Sequence, residues 1–281
     1  MKEQLKTFLK KLGLYHQLQS NYRRALSSFN RLQNKWAYDK YKGSGFICNF
    51  CEATYQKFVP HYPGPDIAEA INSNKVIAGY GENVICPNCM SKSRERLVKV
   101  ALDNFVNVEN KEVLHFSPEK KVYRHIKDKA RVTTVDIEPA FYKTVDPSIQ
   151  FADATKLDFA DSRFDIIIAN HILEHIPDDM KAMKEMFRVL NENGVAILQV
   201  PWSQSLSTTI EDPGINNPAK QCRLYGQKDH VRIYTLDNYT TRLMSAGFRV
   251  KVITPTELIP FQKHALQVNE PLVLGYKSSL S

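Results

Sequence analysis

Two groups of residues in this sequence are spaced for chemistry: four paired cysteines, and acidic, amide and imidazole side chains at the ends of apolar runs. The cysteines read Cys48-Asn-Phe-Cys51 and Cys86-Pro-Asn-Cys89. Each such turn can place two thiolates about 2.3 Å from one tetrahedral Zn²⁺, and four sulfur ligands leave no open position. The metal would then hold a module together rather than catalyse. The 34 residues between Cys51 and Cys86 exceed the roughly 15–20 usual for zinc modules. An insertion such as a hairpin would leave the geometry intact. A structural zinc ribbon on Cys48, Cys51, Cys86 and Cys89 is the expectation, with redox chemistry and coincidence as alternatives. Disulfides explain the pairs less well in a cytoplasmic protein. Cys222 stands alone and reads as a small residue.

The second group falls in order along the chain. Asp136 follows His115 by 21 residues, the interval at which an acidic residue meets a ribose diol in nucleotide-binding sheets. Asp153, with Ala154 beside it, comes next and could accept from an adenine amino group. Asn170 and His171 follow, facing the centre of a cleft. Each alone reads as a turn or cap residue; in this order they point to an adenosine-containing cofactor. Histidine suits proton transfer near neutral pH. The candidates are His171, His175 one helical turn later, and His230, which is flanked by Asp229 and Arg232. Arg232, Glu211 and Asp212 are the candidate polar contacts for an acceptor.

These residues need a scaffold that gathers strand ends. The runs EVLHF, RVTTVDIEP, IQFADAT, FDIIIANHILEHI and GVAILQVP lie between Glu112 and Pro201 and alternate with helical stretches. Such a pattern predicts parallel strands with crossover helices, an α/β Rossmann-like doubly wound sheet. RVKVITP and PLVLGYK close it as sixth and seventh strands. Ligands of such sheets bind beyond the carboxyl ends of the strands. Ser91–Phe105 and Leu236–Gly247 read as helices, and Ser117-Pro118 as the N-cap and first residue of another. The polar excursion 202–230 reads as a lid or substrate loop.

With 281 residues, 43% of them apolar and 24% charged, the chain has room for one full core and a smaller module. Residues 1–42 hold ten Lys or Arg against two acidic residues, so this segment alone carries the net charge of +8. Leu5, Phe8, Leu9, Leu12, Tyr15, Leu18, Tyr22, Leu26, Phe29, Leu32 and Trp36 recur there at helical spacing. The segment reads as a basic amphipathic helix, broken near Gly13 or Ser20–Asn21. Its apolar face is expected on its own protein or a dimer mate, with an anionic membrane surface or nucleic acid as alternatives. The predicted divisions are 1–42, a zinc-ribbon-like module at 43–90, and the α/β domain at 91–281. No membrane span or signal peptide is expected, which suggests the cytoplasm, with peripheral contact at the inner face of the membrane.

The stretch Phe164-Asp165-Ile166-Ile167-Ile168-Ala169-Asn170-His171-Ile172-Leu173-Glu174-His175-Ile176-Pro177-Asp178 resembles the fourth motif of the class I S-adenosylmethionine-dependent methyltransferases. Glu185–Leu198 resembles the helix, turn and fifth strand that follow it. The resemblance covers roughly residues 92–255. Leu114–Glu119 and Gly226–Arg232 are similar to an LHFSPE-type first motif and a GQ-DHVR segment of bacterial methyltransferase-domain proteins, many of them associated with modification of surface sugars or small metabolites. It implies S-adenosylmethionine held by His115, Phe116, Ser117, Glu119, Asp136, Ile137, Asp153, Ala154, Asn170 and His171. The superfamily's first loop is normally glycine-rich; here it has no glycine.

Methyl transfer from a sulfonium is an in-line displacement that depends on alignment and exclusion of water. His230 or His171 is the expected base. The expected acceptor is small and polar, a sugar or glycoconjugate precursor. One alternative is an RNA methyltransferase that grips its substrate with zinc module and basic helix. The other is a non-catalytic scaffold, suggested by the glycine-free loop.

Overall fold

The computed structural model describes residues 14–277. Leu5, Phe8, Leu9 and Leu12 of the expected amphipathic helix, and its expected break at Gly13, lie outside them. Helix α1, Leu14–Ala37, runs without interruption through Ser20–Asn21, so the break expected there does not occur. Leu18, Tyr22, Phe29, Leu32 and Trp36 are exposed along it rather than packed on the body. Its carboxyl half is tethered by the Arg31 Nε–H, which donates to the Asn88 carbonyl at 2.8 Å. Among the described residues no helix is long and apolar enough to cross a membrane.

The cysteine region contains strands β1 (Lys42–Ile47) and β2 (Thr54–Tyr55), which pair antiparallel. Between Cys51 and Cys86 the chain adds more than a hairpin. Strands β3 (Val59–His61) and β5 (Gly81–Ile85) pair around helix α2 (Pro65–Ser73) and strand β4 (Val76–Ile77). Helix α3 (Ser93–Asn104) then leads into the sheet, its first turn fixed by the Glu95 carboxylate accepting from the Lys92 N–H at 2.7 Å.

The large sheet is built from β6 (Glu112–Phe116), β7 (Arg131–Asp136), β8 (Gln150–Phe151), β9 (Phe164–Asn170) and β10 (Leu190–Gln199). Helix α4 (Lys120–Ile126) follows β6, and α5 (Asp179–Val189) follows β9. Beyond β10 come β11 (Trp202–Ser203), β12 (Ile210–Glu211), helix α6 (Pro218–Tyr225), β13 (Arg232–Thr235) and helix α7 (Leu236–Ser245). Strands β14 (Arg249–Ile253) and β15 (Leu272–Lys277) close the chain.

The order across the seven strands is β14-β15-β10-β9-β6-β7-β8, and β10, β9, β6, β7 and β8 are mutually parallel. Successive side chains of a strand face opposite sides. Ile167 and Ala169 therefore join the core with Met183 and Met186 of α5, while Ile166 and Ile168 join Leu97 and Val98 of α3. Strand order reverses between β6 and β9, which opens a crevice at their carboxyl ends.

The two segments outside the sheet meet over that crevice. β4, from between the cysteine pairs, extends a four-stranded sheet of order β12-β13-β11-β4. Ile71 of α2 packs with Tyr225 of α6 and Ile233 of β13. Gly226 caps α6 in the left-handed region at φ +77°, and a Cβ there would lie 2.5 Å from Ile71 Cδ1. Gly226→Ala should therefore cost about 2–4 kcal/mol, combining left-handed strain with overpacking. Urea unfolding measures this, and Ile71→Ala on the same background should cost less than it does in the wild type because the clash is relieved.

Candidate active site

A cavity of about 790 Å³ lies at the carboxyl ends of β6, β7 and β9. Phe116, Ser117, Glu119, Asp136, Ile137, Asp153, Ala154, Asn170 and His171 line it. The glycine-free loop makes its turn through Ser117, which sits in the left-handed region at φ +43°. Its N–H donates to the Val135 carbonyl at 2.9 Å and its hydroxyl to Asp136 Oδ2 at 2.5 Å. Ser117 is thus not the expected N-cap: Glu119 precedes α4, and the serine hydroxyl is spent on Asp136.

Glu119 ties two strand tips together. His115 Nε2 lies 3.1 Å from one of its oxygens, and Asn170 Nδ2 donates to the other at 2.5 Å. Burial pushes the Glu119 carboxyl up, but the His115 and Asn170 contacts outweigh it and hold the group below the usual range. His115 does not line the cavity; it is fully buried behind Glu119. Asp136 Oδ1 accepts from the Glu138 N–H at 2.6 Å, and Asp153 Oδ1 from the N–H and hydroxyl of Thr155, both at 2.8 Å. Both carboxylates are fixed by their own loops.

Several polar atoms at this site are buried without a hydrogen-bond partner: Asn170 Oδ1, His171 Nε2, Arg94 Nε and both oxygens of Glu174. Buried polar groups are rarely left so, and such a set marks where a polar ligand would bind. The cavity has anionic groups near β7 and β8, and an orphaned acceptor and donor (Asn170 and Arg94) near the switch point. That pattern fits a ribose and adenine at one end and an amino-acid zwitterion at the other.

A second, smaller cavity of about 350 Å³ shares Arg94, Tyr142, His171, His175 and Asp229 with the first. Its far wall comes from both segments outside the sheet: His61, Tyr80 and Lys92 on one side, Tyr225, Gln227 and His230 on the other. The His61 and Tyr80 rings stack with centroids 5.0 Å apart. His230 is buried, with Nδ1 3.3 Å from the Tyr225 carbonyl and its ring edge-on to His175 at 4.6 Å. Burial pushes His230 down to about 4, which makes it a poor proton acceptor near pH 7 and weakens the case for it as base. His171 is likewise lowered by burial.

The cysteines converge as the spacing implied. Their four Sγ atoms lie within 4.8 Å of one another, with Cys48 and Cys89 3.6 Å apart and Cys51 and Cys86 3.8 Å apart. Tetrahedral Zn–S bonds of about 2.3 Å require separations of about 3.8 Å, whereas a disulfide requires about 2.0 Å. Each pair forms the same turn: the Glu52 N–H donates to Cys48 and the Met90 N–H to Cys86, with Glu52 and Met90 at φ +58° and +63°. The donor set fits zinc.

Residues 118–198 match the family model described as a methyltransferase domain. A relative from Amycolatopsis mediterranei (strain S699), 27-O-demethylrifamycin SV methyltransferase, is 30% identical over 129 residues, 46% of this chain and 42% of the relative. The matched residues, 118–198, form a methyltransferase domain. The chain spans less than half the length of that curated relative. Solved structures similar to it include the YcgJ protein from Bacillus subtilis, with TM-score 0.43, 16% identity and coverage of 66% of this chain and 98% of that one. Another is Burkholderia thailandensis 1,6-didemethyltoxoflavin-N1-methyltransferase, with TM-score 0.43, 15% identity and coverage of 66% and 79%.

The residues expected to touch an acceptor sit elsewhere. Arg232, Glu211 and Asp212 line neither cavity. The buried Arg232 guanidinium donates to the carbonyls of Leu173, Ile176 and Pro177 at 2.9, 2.5 and 2.8 Å, and to Glu211 at 2.9 Å. It holds the turn that carries Glu174 and His175. Asp212 accepts from the Gly214 N–H in a surface turn. Conversely, Arg94 and Tyr142 line both cavities, and neither stands at a strand tip where the sequence pattern would mark it.

Removing Arg232 leaves the Ile176 and Pro177 carbonyls without their side-chain donor and takes one donor each from the Leu173 carbonyl and from Glu211, which keeps Arg242. Arg232→Met should lower the unfolding free energy by about 3–5 kcal/mol; a residue reserved for acceptor contact would leave urea unfolding unchanged. A second expectation concerns Glu270, whose carboxyl burial pushes up to about 7 against the pull of Arg94 and Arg96. A raised native value means the native state binds more protons, so stability is lost as pH rises from about 4.3 through 7. Glu270→Gln should flatten this part of the unfolding free-energy profile, by roughly 3 kcal/mol across the window.

Proposed function

We propose that the chain transfers the methyl group of S-adenosylmethionine to a small polar acceptor, such as a sugar or a related hydroxylated metabolite. The observation that carries this reading is the cofactor-sized cavity at the switch point opening into a smaller polar one. Asp136 would take the ribose hydroxyls, and the loop of Asp153 and Ala154 the adenine. Asn170 and Glu119 would accept from the α-ammonium group while Arg94 pairs with the carboxylate. Bound there, the sulfonium supplies an electrophilic methyl group. The chain's own task is alignment: the shared wall of His171, His175 and Tyr142 would hold the acceptor oxygen in line and keep water out. The limited volume of the second cavity and its roof of two chain segments favour a small acceptor over a polymer. The name of the rifamycin-modifying relative agrees with an acceptor of that class. We assign Cys48, Cys51, Cys86 and Cys89 to a structural zinc ion that fixes one side of this roof.

Calorimetric titration with S-adenosylhomocysteine tests the reading. Saturable one-to-one binding is expected, weakened about 10–100-fold in Asp136→Ala by loss of a charge-assisted hydrogen bond of ~1.5–3 kcal/mol. Absence of binding at millimolar ligand would instead support a scaffold without chemistry.

A further inference from the structure

Glu174 is the least satisfied charged group among the described residues. It is 1% exposed, and neither carboxylate oxygen has a hydrogen-bond partner. Three imidazoles surround it: His171 Nδ1 at 3.5 Å, His230 Nε2 at 3.9 Å and His175 Nε2 at 4.0 Å from Oε1. None of these is within good hydrogen-bond distance.

The outer nitrogens of two of these rings are already engaged. His230 Nδ1 faces the Tyr225 carbonyl at 3.3 Å, and His175 Nδ1 faces Asp229 Oδ1 at 3.4 Å. A carbonyl or carboxylate in that position takes the ring N–H, so each Nε2 turns a lone pair inward toward Glu174. Among Glu174, His175 and His230, acceptors thus converge on acceptors. That arrangement is unfavourable by itself and favourable around a cation. The same outer contacts are those that orient histidine ligands of metals.

We propose that Glu174, His175 and His230 bind a divalent transition-metal ion, distinct from the cysteine site, at which a hydroxylated acceptor docks. Their ligand atoms lie within 4.8 Å of one another. Bonds of about 2.0–2.2 Å place tetrahedral ligand atoms ~3.4 Å apart, so the two imidazoles at 4.0 and 3.9 Å from Glu174 Oε1 would have to close in by about half an ångström. Two imidazoles and one carboxylate select zinc, manganese, iron or cobalt over magnesium or calcium, and leave coordination positions open. All three residues line the second cavity, and His175 also lines the first. The open positions therefore face the place where acceptor and methyl group would meet.

The acceptor half of this proposal rests on the methyl-transfer reading; the metal half does not. A chelating pair of oxygens, as in a catechol or vicinal diol, fits a site with open positions. Coordination lowers the pKa of a hydroxyl, supplying what the buried, neutral His230 supplies poorly. The hydroxyl proton leaves to water, the O–CH₃ bond forms as the S–CH₃ bond breaks, and the bonding pair stays on sulfur.

The test is Mn²⁺ binding to full-length protein loaded with one zinc per chain, enough to fill the cysteine site and leave the second site open, followed by electron paramagnetic resonance of the free ion. One Mn²⁺ per chain beyond the cysteine-bound metal is expected, with at least tenfold weaker binding in Glu174→Gln and in His230→Gln. Circular dichroism establishes that the variants are folded. If Glu174→Gln does not fold, His230→Gln and the Mn²⁺-dependent rise in wild-type melting temperature carry the test. No saturable binding at millimolar Mn²⁺, or equal binding by the variants, overturns the site. Catechol affinity that requires Mn²⁺ supports the acceptor half, and affinity independent of the metal overturns it. S-adenosylhomocysteine binding, measured without Mn²⁺, reports separately on the methyl-transfer reading.

Discussion

The guanidinium of Arg96 joins the pieces of this molecule. Fully buried, it donates to five backbone carbonyls: His264, Ser91, Asn83, Val84 and Ala265, at 2.6, 2.6, 3.1, 3.0 and 2.7 Å. Those carbonyls belong to the turn after the second cysteine pair, to β5, and to the segment before β15. An unpaired charge so deep would be prohibitive, and only a full set of acceptors makes it tolerable. The ring of Phe58 lies 4.9 Å from the same group. Cysteine cluster, β3–β5 pair and large sheet are held in one register because a single planar cation demands it.

Arg94 depends on that register. It stands on the same helix, two residues earlier, and projects into both cavities. A helix bolted at Arg96 cannot shift at Arg94, so the cysteine region and the site are mechanically one unit. The segment between the cysteine pairs contributes His61 and Tyr80 to the second cavity, and Lys92 follows the second pair into it. The four-cysteine cluster can in this way shape a pocket it does not line.

On the opposite wall Arg232 does for the turn at 173–177 what Arg96 does for the cysteine region. The two arginines differ in their neighbours. Arg96 is satisfied almost wholly by carbonyls, whereas Arg232 shares Glu211 with Arg242, which also pairs with Asp179. Between these two fixed walls stand the polar atoms that have no partner, so they are held where a ligand must meet them rather than free to turn toward solvent.

Local chain chemistry was enough to specify the sheet and its tips. The unbroken apolar run in FDIIIAN dictates two buried faces whatever the neighbours, and a polar residue that ends such a strand must lie at the sheet's edge. Asp136, Asp153, Asn170 and His171 could be placed for that reason. The paired cysteines were legible because each turn is short enough to be set by its own residues. Folding in three dimensions decided the rest. Arg232 reads as a polar contact for an acceptor, yet its burial depends on carbonyls 55 or more residues away. Glu174 and His230 meet only because β13 returns beneath the turn after β9, and Arg94 enters the cavity only because Arg96 fixes its helix. The exposed stripe on α1 carries the same lesson in reverse. Periodicity gives a helix an apolar face, but which surface, if any, covers it is settled by packing between distant segments, and no local pattern encodes that.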